Sequence, residues 1–131
     1  MRVLLDTHVL LWLLMEPQRL PKRLRDAVED PGHDVMFSAV NIWEVAIKKA
    51  LGKPGFDFTA DQVLHAARAT HLKELPVTAE HAARVGTLEP LHRDPFDRLL
   101  LAQALCEPAR LLTSDRMIAR YPAPIDLIVP E

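Results

Sequence analysis

Apolar positions along the chain alternate between short continuous runs and runs at helical spacing. Arg2 to Leu5 is β-prone and apolar and ends at Asp6 and Thr7; Val9, Leu10, Leu13 and Leu14 then recur as one helical face, so a strand leading into a helix is predicted. Pro17 and Pro21 bracket a turn. Leu20, Leu24 and Val28 follow among Lys22, Arg23, Arg25 and Asp26, the pattern of an amphipathic surface helix. Asp30, Pro31 and Gly32 stop it, and Val35, Met36 and Phe37 make a second strand running into Ser38. Asn41 is predicted to open the next helix, which carries Ile42, Val45, Ala46 and Ile47 and ends at Gly52 and Pro54.

The second half repeats the alternation. Lys53 to Thr59, with Gly55 between Pro54 and Phe56 and with Phe58 beyond, reads as an irregular connection pinned to the core, and a helix follows from Ala60 to about His71. Leu72 to Val77 is a strand candidate interrupted by Pro76, and Thr78 to Leu88 is a helix. Asp94 and Pro95 launch a strongly apolar helix through Leu99 to Leu105. Arg110 to Thr113 is a buried strand, Asp115 to Arg120 a short helix, and Ile125 to Val129 a last strand. No Asn-Gly hairpin signal occurs and the strand runs are apolar on both faces, so the fold expected is α/β, a parallel sheet flanked by helices on both faces. Such sheets bind ligands at the carboxyl ends of their strands, which is where Asp6 and Asp115 fall.

At 131 residues, without repeats or internal linkers, the chain is expected to form a single domain, 1–131. A composition of 49% hydrophobic and 26% charged residues excludes disorder and coiled coil as its basis. Cys106 is the only cysteine, which excludes an intramolecular disulfide; its apolar neighbours suggest a small core residue. The apolar stretch Val9 to Met15 is too short to cross a bilayer and no cleavage site follows it, so no membrane association and a cytoplasmic location are expected. With a net charge of −2, any binding of a polyanion must use a local basic patch.

Four acids, Asp6, Glu44, Asp97 and Asp115, stand at or near predicted helix starts. Each alone fits a capping role: Asn41 to Glu44 reads as a capping box, and Asp94-Pro95-Phe96-Asp97 offers an N-cap followed by proline at the first helical position. Brought within about 5 Å, carboxylates repel by about 3 kcal/mol per pair at an effective dielectric near 20. Capping gives no reason to tolerate that, whereas an oxygen-rich site for Mg²⁺ or Mn²⁺ does. Zinc spacing is missing, since His8, His33, His65, His71, His81 and His92 are dispersed and read as surface or rim residues.

Leu4-Leu5-Asp6-Thr7-His8, Ser38 to Lys48, His92 to Ala104 and Leu111 to Asp115 together resemble the PIN-domain ribonuclease toxins of the VapC type, in order, spacing and neighbouring residues. The resemblance implies that Asp6, Glu44, Asp97 and Asp115 are catalytic residues lining a Mg²⁺ or Mn²⁺ site, with Asp94 in support and Thr7, Ser38 and Thr113 as hydroxyls beside the acids. It implies hydrolysis of RNA phosphodiesters by metal-activated water to 5′-phosphate and 3′-hydroxyl ends, with Glu44 and Asp115 both open as the residue that orients the water. It also implies a homodimer and a VapB-type antitoxin, for which Leu20 to Val28 is a candidate contact surface.

Lys48, His92, Arg93, Arg98 and Arg116 are candidates for RNA contact, although Lys48 is placed to pair with Glu44, and Arg98 with Asp94, along a helix. Trp12 and Trp43, on apolar helix faces, are assigned to core or interface packing. The alternatives are a catalytically inactive PIN-like RNA-binding protein and a receiver-like Mg²⁺-binding signalling domain. A receiver needs an acid pair after its first strand, where Thr7 follows Asp6, and a haloacid-dehalogenase-like phosphatase wants an Asp at the position of His8. An RNase H-like arrangement would begin with antiparallel strands.

Overall fold

A computed structural model describes residues 2–130. Its strands are β1 (Arg2–Leu5), β2 (Asp34–Ser38), β3 (Lys73–Leu75), β4 (Arg110–Thr113) and β5 (Ile125–Leu127); its α-helices are α1 (Thr7–Met15), α2 (Lys22–Glu29), α3 (Ala39–Ala50), α4 (Ala60–Arg68), α5 (Ala79–Val85) and α6 (Pro95–Cys106). The strands form one parallel sheet in the order β3-β2-β1-β4-β5, which excludes the antiparallel start of an RNase H-like fold. From β1 the chain builds outward through β2 and β3, then returns to add β4 and β5 on the other side. The order therefore reverses between β1 and β4, and a crevice opens there at the carboxyl ends of both strands.

Alternate strand residues feed two cores, as the pleat requires. Val3, Leu5, Val35, Phe37 and Leu112 pack with Val9 and Leu10 of α1, Leu24 and Val28 of α2, and Val63 and Ala67 of α4. Leu4, Met36 and Leu111 pack on the opposite face with Phe96, Leu100, Leu101 and Ala104 of α6. Burial on both faces explains why the strand runs lack alternation. Phe56 anchors the connection after α3 in the first core, and Gly55, with φ +84°, brings it so close to His8 that an added Cβ would lie 3.0 Å from Nε2.

Several expectations change. Helix α3 starts at Ala39, before Asn41, because Ser38 is its N-cap: Ser38 Oγ accepts from Val40 N–H, and Asn41 Oδ1 accepts from Ser38 N–H at 2.7 Å. Glu44 consequently sits on the second turn and caps nothing. Helix α4 ends at Arg68, with the Thr70 hydroxyl donating to Ala67 O at 2.6 Å; α5 ends at Val85, with Gly86 as C-cap. The helix expected at Asp115 to Arg120 is a single 3₁₀ turn, Ile118–Arg120. Cys106 is partly exposed at the end of α6, outside the core. His81, read as a surface residue, is 1% exposed. Leu20, Leu24 and Val28 are buried in the protein's own core, with Leu24 and Val28 also lining a cavity of about 350 Å³; exposed apolar side chains lie on α3 and at its C-cap, at Trp43, Ile47 and Leu51. No helix among the described residues is long and apolar enough to cross a membrane.

Candidate active site

Asp6 leaves β1 as the N-cap of α1, its Oδ1 accepting from Val9 N–H at 2.9 Å. The other oxygen, Oδ2, accepts the Thr113 hydroxyl of β4 and, at 3.4 Å, Ser114 N–H. One carboxylate thus ties the two strands that flank the switch point. Thr113 Oγ1 in turn accepts from Asp115 N–H at 3.0 Å, which turns the chain so that Asp115 faces the same crevice. Burial is the main reason that the Asp6 carboxyl rises to about 6; the Thr113, Val9 and Ser114 donors work against it and the Glu44 charge reinforces it.

The remaining acids arrive on α3 and α6. Glu44 is 2% exposed; its Oε1 accepts the Thr7 hydroxyl at 2.5 Å, and its Oε2 pairs with Lys48 Nζ at 2.6 Å. Asp94 is the N-cap of α6, with Oδ1 accepting from Phe96 N–H at 2.9 Å and Oδ2 pairing with the same Lys48 Nζ at 2.6 Å. Burial opposes the charge on Asp94, yet Lys48 and the Phe96 and Asp97 N–H groups outweigh it and hold this carboxyl below its usual range. Burial also opposes the Lys48 ammonium, and its bonds to Asp94 and Glu44 outweigh that and raise its pKa. Asp97, in the first turn of α6, has no such cation. Burial, with the charges of Asp94, Glu44, Asp6 and Asp115, pushes its carboxyl up to about 8.

Asp6, Glu44, Asp94, Asp97 and Asp115 line one cavity of about 150 Å³, together with Thr7, His8, Lys48, His92 and Ser114. All four acids singled out from the sequence therefore meet. Two trios bring ligand atoms within 4.8 Å of one another, His92 with Asp97 and Asp115, and Glu44 with Asp94 and Asp97. Asp97 belongs to both trios. Asp6 lies outside them, its oxygens turned to Val9, Thr113 and Ser114. Five carboxylates facing one lysine, with one carboxyl driven to about 8 by burial and by its acidic neighbours, are a donor set that fits a divalent cation: hard oxygen ligands in excess of the cationic side chains beside them.

Other expected roles divide. Thr7 and Thr113 donate to acids as anticipated, whereas Ser38 touches none of them: it caps α3 and donates to Gln103 Oε1 at 2.5 Å. His92 points into the pocket, with Nε2 2.8 Å from Asp97 Oδ2 and 3.0 Å from Asp115 Oδ2. Arg98 does not pair with Asp94; it donates to the carbonyls of Glu89, His92 and Val85 and to Tyr121 Oη, anchoring the segment before α6. Arg93 and Arg116 are exposed next to pocket-lining residues. Trp43 is 51% exposed, with its ring edge-on to Phe96 at 4.5 Å, and Arg19 lies over Trp12.

Sequence reasoning missed Asn41, Gln103, His8 and Ser114. Asn41, fully buried, donates to Leu5 O at 3.2 Å and to Thr7 Oγ1 at 3.1 Å. Filling that acceptor position aims the Thr7 proton at Glu44. The spacing Ser38-x-x-Asn41 was the available signal for it, and a lone glutamine amid Leu99 to Leu105 was the signal for Gln103. His8, whose imidazole is held below its usual range chiefly by burial, had no signal beyond adjacency to Thr7.

Residues 3–124 match the PIN domain. The chain belongs to the PIN-domain family. It is 31% identical over 126 residues to Ribonuclease VapC22 of Mycobacterium tuberculosis, an alignment covering 94% of this chain and 95% of that one. Among solved structures it is similar to a chain of VapBC2 from Rickettsia felis, determined with a DNA fragment from their promoter, at a TM-score of 0.70 and 16% identity over 97% of this chain and 98% of that one. A chain of VapBC-1 from nontypeable Haemophilus influenzae gives a TM-score of 0.66 at 20% identity, again over 97% and 98%. At such identities these structures speak for the fold, and they agree with the single PIN-like parallel sheet described above.

Proposed function

We propose that this PIN-domain protein is a Mg²⁺- or Mn²⁺-dependent endoribonuclease and the toxin of a toxin-antitoxin pair, hydrolysing RNA to 5′-phosphate and 3′-hydroxyl ends. The observation that carries the reading is the convergence of Asp6, Glu44, Asp97 and Asp115 on one small cavity at the β1/β4 switch point, with Asp97 raised to about 8 by burial first and by the other acids after it. When bound, the divalent cation supplies positive charge for the phosphoryl oxygens and lowers the pKa of an attacking water. Asp97 and Asp115, with His92, are the residues to hold it, and Glu44 and Asp94 lie on the other side of Asp97.

The protein's own groups do the remaining work. Asp6 joins the two strand ends and so fixes the distance between the α1 and β4 sides of the pocket. Thr7, oriented by Asn41, holds one oxygen of Glu44 in place. Asp115, the most exposed of the four acids with 34% of its side chain accessible, stands at the pocket mouth and is the better placed to orient incoming water. Arg93 and Arg116 flank this mouth in sequence and supply positive charge for the RNA backbone. Lys48, held by two carboxylates, is withdrawn from that role.

Likeness to VapBC structures supports a VapB-type antitoxin as partner, and the exposed Trp43, Ile47 and Leu51 stripe is the apolar surface to serve it or a second copy of the chain. The test is direct. Purified protein is expected to cleave RNA with Mg²⁺ or Mn²⁺ and not in EDTA, and Asp6→Asn is expected to remove the activity while circular dichroism stays native. Cleavage that persists in EDTA overturns the metal-nuclease reading, and an unaffected Asp6→Asn overturns the role given to Asp6; a folded protein that binds RNA and never cuts it favours the inactive RNA-binding alternative.

A further inference from the structure

We propose that the Lys48 ammonium is a built-in cation occupying the Glu44/Asp94 side of the acidic pocket, so that the pocket takes one divalent cation, on the His92/Asp97/Asp115 side. This rests on the reading of the pocket as a divalent-cation site. Two trios of ligand atoms are available and they share Asp97, which by itself would suggest a pair of cations. The trios are not equivalent. Lys48 Nζ is 2.6 Å from Glu44 Oε2 and 2.6 Å from Asp94 Oδ2, so two of the three carboxylates on that side already share a positive charge. On the other side the group shared by Asp97 and Asp115 is His92 Nε2, an imidazole nitrogen that is itself a metal ligand type.

A simple i,i+4 pair along α3 does not account for this arrangement. Asp94 comes from the N-cap of a different helix, 46 residues away, and the lysine spans α3 and α6. Its ammonium is further enclosed by the rings of Phe56 and Phe96, at 5.5 and 5.4 Å from their centroids, and only 20% of the side chain is exposed. An amine packed on four sides stays where it is, and a second divalent ion would have to displace it or sit beside it against like charge. Lys48 is thus a positioning residue: it holds Glu44 and Asp94 to one ammonium and leaves Asp97, with His92 and Asp115, as the side of the pocket without a lysine.

The experiment is a count of bound Mn²⁺ per chain, by calorimetric titration and by electron paramagnetic resonance, on metal-stripped full-length protein. Wild type is expected to saturate at one Mn²⁺, Lys48→Arg at one, and Lys48→Met, which keeps the bulk between the two rings and removes the charge, at two. Two ions in wild type overturn the proposal irrespective of whether the methionine variant folds. One ion of unchanged affinity in a folded Lys48→Met also overturns it. No Mn²⁺ bound by any form would instead remove the divalent-cation reading itself, and the role of Lys48 with it.

Discussion

Asp97→Asn is expected to abolish RNA cleavage and, in the absence of metal, to leave the protein more stable than wild type at pH 8. Loss of a ligand shared by both trios should exceed the roughly 10- to 100-fold cost of changing an outer-shell partner. The stability effect follows from linkage. Asp97 has its folded pKa raised to about 8 from an ordinary 3.8, so the folded state holds a proton that the unfolded chain releases. That contribution is fully present below about pH 4 and is lost as pH rises through about 8; Asp6, raised to about 6, adds a smaller loss of the same sign between about pH 4 and 6. Each pKa unit corresponds to about 1.4 kcal/mol, so the difference between wild type and Asp97→Asn should reach the order of a few kcal/mol. Thermal melts in EDTA at pH 5 and pH 8 measure it: the variant's advantage must grow with pH, and saturating Mn²⁺ must restore wild type alone. Melting temperatures that move in parallel at both pH values would contradict the charge argument.

Gln103→Leu is expected to cost the fold more than its conservative shape suggests. Gln103 is fully buried in α6; Oε1 accepts the Ser38 hydroxyl at 2.5 Å, and Nε2 lies 3.3 Å from both Pro76 O and His81 Nδ1. His81 Nδ1 also accepts from Thr78 N–H at 3.0 Å, so its proton is on Nε2 and is donated to Glu107 at 2.7 Å. Leucine leaves the Ser38 hydroxyl and the Pro76 carbonyl without these partners, at about 1 to 3 kcal/mol each. A loss of about 2 to 6 kcal/mol corresponds to a fall in Tm on the order of 10 °C. Activity is expected to fall further than stability, because Ser38 N–H holds Asn41 and Asn41 holds Thr7 against Glu44. Chemical denaturation with parallel cleavage assays reads both quantities; a change in Tm below about 3 °C would show that the buried chain is not acting as a unit.

Strand and helix order was legible because burial leaves a direct mark on composition. The β1, β2 and β4 runs are apolar on both faces, and parallel pairing covers both faces, so fold class and the strand ends at Asp6 and Asp115 could be read from residue types alone. Boundaries were less legible where a side-chain bond decided them: the Ser38 cap moved the start of α3 to Ala39, and the Thr70 hydroxyl took the Ala67 carbonyl at the end of α4. The edge strands β3 and β5, three residues each, carried the faintest pattern.

Asp6, Asp97 and Asp115 were likewise legible in the sequence, since charged residues at strand ends and helix starts stand out against apolar neighbours; Glu44, on the second turn of α3, was singled out by the family resemblance. Their division of labour was not. Asp6 closes on Thr113 from 107 residues away and Lys48 bridges Glu44 to Asp94, both contacts set by how α1, α3 and α6 pack at the β1/β4 switch point. Local sequence placed Lys48 one turn from Glu44, a common surface pair; only the arrival of α6 made it a cation shared by two acids in one pocket. Sequence by itself determined which charges the protein carries to the ends of its elements. Tertiary structure decided which of them are neutralised, because repulsion between carboxylates depends on separations that exist only once the sheet has brought distant segments together.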